Sequence, residues 1–362
     1  MEATYVNVSE LKLGKIVAED IFVNTQFPIV NKNTKITYEH LHVFNAFQIK
    51  KVLVLMEETS KSANNEADED IETINVIIPE TNSFKKIYDE AISKFKKEFA
   101  SWEAGIKPDI PKARTIIVPL VERVLEDRSI MFELNDFSNP KDYLYHHCIA
   151  TGLIAAILSQ KLGYDRGFCI QMAIGGLLAD SGMAKVSPRI RDKNTSLTSE
   201  EFKEIKKHPI YSYQLVKDLP ILKPVIKEAI FQHHERLDGS GYPKADKIEN
   251  ISNFAQVIAV ADVFHAMTSE RVYRSKQSSF KVIEMIKEEE FGKFDIKVVQ
   301  ALIDLVADLP IGTVVELSNL ERGEVMFVNK FSPTRPLIKL KGSGEIIDLA
   351  KHRLFHIERI IS

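Results

Sequence analysis

From Ser83 to Asp308 the apolar residues return again and again at helical spacing, and nothing else in the chain restricts its fold as strongly. In the first stretch Phe84, Ile87, Tyr88, Ala91, Ile92, Phe95 and Phe99 form one stripe, with lysines and acids opposite, and Gly105 and Pro108 end it. Such a stripe belongs to a packing or dimerisation helix. The pattern renews over 113–132, 142–162, 167–180, 198–218, 220–234, 253–268, 280–290 and 295–308. Thr198-Ser199-Glu200-Glu201 supplies a capping box for one of these segments. Residues 83–308 are therefore expected to form an all-helical domain.

The flanks read differently. Residues 1–58 mix a loosely alternating run from Ile21 to Val30, a helical run over 37–47 and the strand-like Lys51-Val-Leu-Val-Leu55, which makes a small N-terminal α/β module. An acidic, aperiodic stretch follows, and 59–82 reads as a linker. Beyond Pro310 short β-rich runs appear at 313–317, 323–328, 336–340 and 345–349, so 309–362 is expected to be a small C-terminal β module. The expected class is multi-domain and mainly α.

Composition excludes several functions. A chain of 362 residues that is 44% hydrophobic and has a net charge of −3 is neither disordered nor a general binder of nucleic-acid polymers. The longest apolar run noted, Cys148 to Leu158, is too short for a membrane span, and no basic-then-apolar leader opens the chain. Cys148 and Cys169 both sit in apolar periodic stretches, as buried thiols of a cytoplasmic protein would.

The chemistry lies in the histidines. Four of the ten occur as adjacent pairs, His146-His147 and His233-His234, with His208 between the pairs. Neighbours on a helix point about 100° apart, so His233 and His234 can share a site only at a helix end. The glycine-punctuated run Asp238-Gly239-Ser240-Gly241-Tyr242-Pro243 follows directly and can fold back over whatever they hold. Asp262 lies in the apolar Val257–Phe264 run and Asp180 ends the apolar Met172–Ala179 run; a carboxylate there is costly unless it is paired or binds metal. Imidazoles and carboxylates converging from several helices suit a hydrolytic metal site.

These residues resemble the HD-GYP family, a branch of the HD phosphohydrolases whose characterised members hydrolyse cyclic di-GMP. The resemblance covers about 138–290. It is carried by His233 to Pro243, by Ala261-Asp262-Val263-Phe264-His265 through Arg274, and by Leu197 to Phe202 followed by Lys207-His208-Pro209. It implies one or two divalent ions (Fe, Mn or similar) on His147, Asp180, His208, His233, His234 and Asp262, with Asp180 catalytic. It implies that Arg271 and Arg274 meet the phosphates of cyclic di-GMP or a related nucleotide, and that Gly241, Tyr242 and Pro243 line the substrate pocket or contact partner proteins. A homodimer is a further expectation.

The sequence also departs from the family. The His-Asp doublet, normally followed by an apolar residue, Gly and Lys, reads Ala179-Asp180-Ser181-Gly182-Met183. One imidazole and one cation are missing. Tyr143 stands where some members carry a glutamate, and Gln256 where arginine is usual. One metal position then keeps His147, Asp180 and Asp262; the other keeps Asp180, His208, His233 and His234. Lys185 is expected to replace the missing lysine in part, and His146 and His265 to lie apart from the site. The expected function is a cyclic di-GMP phosphodiesterase with impaired activity; a non-catalytic binding scaffold and a phosphohydrolase of another nucleotide are the alternatives.

Overall fold

A computed structural model describes residues 3–8, 11, 14–22, 28, 30–36, 40, 44, 49–55, 84–270, 276–288 and 292–361. The acidic stretch 59–82, most of the run 37–47, and Arg271 and Arg274 lie outside the described residues.

The chain divides into two compact units, Met1–Val76 and Ile77–Ser362. In the first, β1 (Ala3–Asn7) pairs antiparallel with β2 (Lys51–Leu55), from Ala3 opposite Leu55 to Asn7 opposite Lys51. Side chains alternate along β2, so Val52 and Val54 face a small core with Val17, Ile36 and Phe44.

The second unit is built on helices α1 (Phe84–Glu103), α2 (Ile110–Glu126), α3 (Ile130–Phe137), α4 (Tyr143–Lys161), α5 (Arg166–Ala179), α6 (Ser199–Ile205), α7 (His208–Val216), α8 (Pro224–Gln232), α9 (Asn253–Thr268), α10 (Ser279–Glu288) and α11 (Ile296–Val306). Two expected helices are each split. The 113–132 run breaks because the Asp127 carboxylate accepts the Ser129 N–H at 2.9 Å and its hydroxyl at 2.6 Å, which turns the chain between α2 and α3. The 198–218 run restarts at His208, where Pro209 sits in a first turn that needs no proline N–H. The Thr198–Glu201 capping box is formed in full.

Helix α4 is buried on every side from His146 to Ser159, as a central core helix must be. Helices α5 and α9 pack against it, and α8 packs on both. The stripe on α1 is covered within this chain: Phe84, Tyr88, Ala91, Ile92, Phe95, Phe99 and Trp102 are all buried. The segment Arg166–Lys185 is long and apolar enough by composition alone to cross a membrane, and 72% of its most apolar part is buried inside the protein, as in a core helix.

Strands β3 (Val314–Leu317), β4 (Arg322–Phe327), β5 (Leu337–Leu340), β6 (Ile346–Asp348) and β7 (Ile357–Ile360) form one antiparallel sheet in the order β6-β5-β4-β3-β7. Their inward residues, Val315, Leu317, Val325, Ile338 and Ile357 among them, share one continuous core with the helices. The half-buried pair of Arg335 with Glu284 of α10 (Nε to Oε1 2.6 Å) and the bond from the Ser278 hydroxyl to the Ile357 carbonyl tie sheet to helices.

Candidate metal centre

Five segments deliver the candidate donors. His147 lies in the first turns of α4, Asp180 caps the end of α5, His208 opens α7, His233 and His234 follow the last turn of α8, and Asp262 lies within α9. The adjacent pair thus stands at a helix end, where two side chains 100° apart can converge. Gly182 lets α7 approach: a methyl there would run into the His208 carbonyl oxygen and stand 2.5 Å from the Ser212 N. The Gly182 N–H donates to the Ser212 hydroxyl at 2.7 Å, and that hydroxyl donates to the Ala179 carbonyl at 2.6 Å. The end of α5 is thereby fixed against α7, and Asp180 against His208.

The donors fall into two groups that share Asp180. One is Asp180, His208, His233 and His234; the other is His147, Asp180 and Asp262; within each, donor atoms lie within 4.8 Å of one another. In the first group the Asp180 Oδ1 lies 3.0 Å from the His208 Nε2 and 3.6 Å from the His233 Nε2. The two Nε2 atoms are 3.2 Å apart. In the second group the His147 Nε2 is 2.8 Å from the Asp262 Oδ1 and 3.5 Å from the Asp180 Oδ2. His234 Nδ1 is 3.8 Å from the Asp262 Oδ2, so the two groups adjoin.

The first group carries a mark of metal chemistry. His208 Nδ1 donates to the Ile205 carbonyl at 2.8 Å, and His233 Nδ1 donates to the Ile230 carbonyl at 2.7 Å. A carbonyl only accepts, so each ring carries a proton on Nδ1, and the neutral form of each turns an Nε2 lone pair inward. Two Nε2 atoms and a carboxylate oxygen then face one point, as the donors of a bound cation do. Donors about 2.1 Å from one ion stand roughly 3.0–3.4 Å from each other, close to the spacings found. The residues present fit a divalent metal.

Electrostatics agree. Burial would push the Asp180 carboxyl up, but the close His208 and His233 imidazoles outweigh it and hold it well below the usual carboxylate range. Asp262 is pushed up by burial too, and the His147 hydrogen bond with the nearby imidazoles brings it below the usual range. Burial, then neighbouring His233, drive the His234 imidazole well below its ordinary value, so it stays neutral as a ligand must.

The loop after His234 folds back over the donors. Tyr242 stacks on the His234 ring at 4.6 Å between centroids, and its N–H donates to the His234 carbonyl at 3.1 Å. Gly241 permits this turn, since a methyl there would strike the backbone of Glu235 and Arg236. The peptide between Tyr242 and Pro243 is cis. Buried Glu235 pins the loop by accepting the Lys244 N–H at 2.7 Å and the Asp246 N–H at 3.0 Å. Sequence reasoning missed that role; the signal was a carboxylate directly beside two histidines at the root of a loop.

Residues 120–298 match the family model described as HD domain. The solved structure of Bd1817, an "HDGYP" protein from Bdellovibrio bacteriovorus, shares the fold at a TM-score of 0.51 and 16% identity, covering 84% of this chain and 99% of its own. The matched region is an HD domain. The chain is 29% identical over 208 residues to cyclic di-GMP phosphodiesterase PdeB of Borreliella burgdorferi, over 56% of this chain and 54% of the relative. It is 28% identical over 242 residues to cyclic di-GMP phosphodiesterase PA4108 of Pseudomonas aeruginosa, over 67% and 58%. It is likewise 28% identical over 203 residues to 3'3'-cGAMP-specific phosphodiesterase 3 of Vibrio cholerae, over 56% and 43%. The chain thus spans about half the length of these relatives.

The positions that depart from the HD-GYP pattern have definite surroundings. Ala179 is buried and offers no donor, and Met183 packs against the hydrophobic core. Lys185 does not replace the missing cation: it is exposed, and its ammonium donates to the Trp102 carbonyl at 3.5 Å. His146 lies apart from the donors, packed against the ring of Tyr88 at 5.7 Å, and burial lowers its pKa to about 4. His265 is not peripheral. It is fully buried, its Nδ1 is 2.9 Å from the His147 Nδ1, and its Nε2 is 3.0 Å from the Ser269 hydroxyl. Tyr143 adds its hydroxyl 3.2 Å from the same His147 nitrogen.

Proposed function

We propose that this chain is a metal-dependent phosphodiesterase of cyclic dinucleotides, with cyclic di-GMP as its first substrate and one firmly held divalent ion, Mn²⁺ or Fe²⁺. The observation that carries this reading is the complete Asp180, His208, His233 and His234 group, with two Nε2 lone pairs 3.2 Å apart beside a carboxylate. The names of the related phosphodiesterases, which act on cyclic di-GMP or 3'3'-cGAMP, support the substrate class.

A divalent ion in this group would supply positive charge against the phosphodiester and acidify water at neutral pH. The chain's own residues do the rest. Asp180 stays ionised and lies between both groups, so it orients whatever enters them. His147 and Asp262, 2.8 Å apart, stand on the far side of Asp180 and can hold and move a proton there. Tyr242 covers His234 and limits access of bulk water from that side. Arg271 and Arg274 are proposed to bind the phosphates bidentately, and Gly241 and Pro243 to shape the pocket.

One observation favours a second reading, that of a nucleotide-binding scaffold: Ala179 and Met183 remove a donor and a cation with no replacement from Lys185. Incubation of the purified protein with cyclic di-GMP or 3'3'-cGAMP and Mn²⁺ or Fe²⁺, followed by chromatography, separates the two. Linear or mononucleotide product that disappears in His233→Ala is expected. Turnover no greater than in that variant would leave only the scaffold.

A further inference from the structure

The family's missing cation at Met183 raises the question of which positive charge near the centre is left to meet a phosphate. Among the described residues, Lys206 has the right surroundings. It closes α6, two residues before His208, and is half-buried. Its ammonium stands 5.3 Å from the centroid of the Tyr242 ring and 4.9 Å from that of Phe202. The Tyr242 ring in turn stacks on His234. No carboxylate among the described residues pairs with Lys206, whereas neighbouring Lys207 bonds Glu204 at 2.7 Å and Lys193 bonds Glu201 at 2.6 Å.

That contrast matters chemically. A carboxylate would satisfy the ammonium and cancel its charge. Aromatic faces hold a cation in place but neither neutralise it nor accept all three of its N–H bonds. The lysine is therefore positioned, still charged, and able to donate to an anion. Phe202 is 47% exposed and presents an open ring beside it, to which a purine could stack.

We infer that Lys206 binds a phosphate oxygen of the cyclic dinucleotide, with Phe202 and Tyr242 holding the ammonium at the mouth of the metal centre. It replaces from α6 the charge lost at Met183. This inference rests on the cyclic-dinucleotide reading above and names a residue that recognises that substrate.

Calorimetric titration of the full chain with cyclic di-GMP, with metal content measured on the same samples, tests it. Lys206→Met should weaken binding about tenfold or more with metal content unchanged, and Lys206→Arg should stay within about threefold of wild type. Wild-type binding that persists undiminished in Lys206→Met overturns the inference and leaves the substrate reading intact. Loss of metal together with binding in Lys206→Met also overturns it, because the lysine would then act only through the fold. Absence of binding in the wild type overturns the substrate reading, and this inference with it.

Discussion

The two halves of the centre share Asp180 yet are built to different standards. In the His208–His233 half both imidazoles are fixed by backbone carbonyls at 2.8 and 2.7 Å, which cannot donate and so hold each lone pair inward. In the His147–Asp262 half the outer nitrogen of His147 meets another imidazole and a phenol, groups that can both donate and accept. That half also has three donors where the first has four. A carbonyl fixes a tautomer; a second histidine leaves it open. The comparison teaches that the half with no donor at Ala179 also leaves the tautomer of its one histidine open, while the other half holds both of its Nδ1 protons on backbone carbonyls.

Two substitutions probe this difference. The larger effect is expected from Gly182→Ala, which forces the added methyl against the His208 carbonyl and pushes α7 off Asp180. Stability should fall by about 1–3 kcal/mol, seen as a lower Tm, and metal affinity by roughly 100-fold or more. If the variant melts and binds metal like wild type, the complete half does not depend on that close approach. A smaller effect is expected from Ala179→His, which returns a fourth donor to the weaker half. It should let the chain take up a second ion, measured by elemental analysis, while the buried position costs about 1–3 kcal/mol of stability. An unchanged metal count would mean that the support of His147, rather than the missing donor, limits that half.

Much of this was legible in sequence. Helical periodicity marks the core because an apolar stripe must face a partner, and adjacent histidines before a glycine loop mark a helix end. The breaks at Asp127 and His208 were not legible, since apolar spacing runs through both and the turn depends on one side-chain bond and one proline. Strand β7 escaped notice because Glu358 and Arg359 interrupt its four residues; Arg359 pairs with Glu316 across the sheet at 2.9 Å. His265 was misplaced for a different reason. Its partner His147 is 118 positions away, and only the packing of α9 on α4 brings them together. Lys185 was misjudged likewise, because proximity in sequence to Asp180 says nothing of the direction its side chain takes.

The measurement that bears most directly on the unequal halves is metal content per chain in wild type, His147→Ala and His233→Ala, by elemental analysis after gel filtration. One ion in the wild type, retained in His147→Ala and lost in His233→Ala, is the predicted result. Two ions in the wild type, or an ion that survives His233→Ala and is lost in His147→Ala, would contradict it.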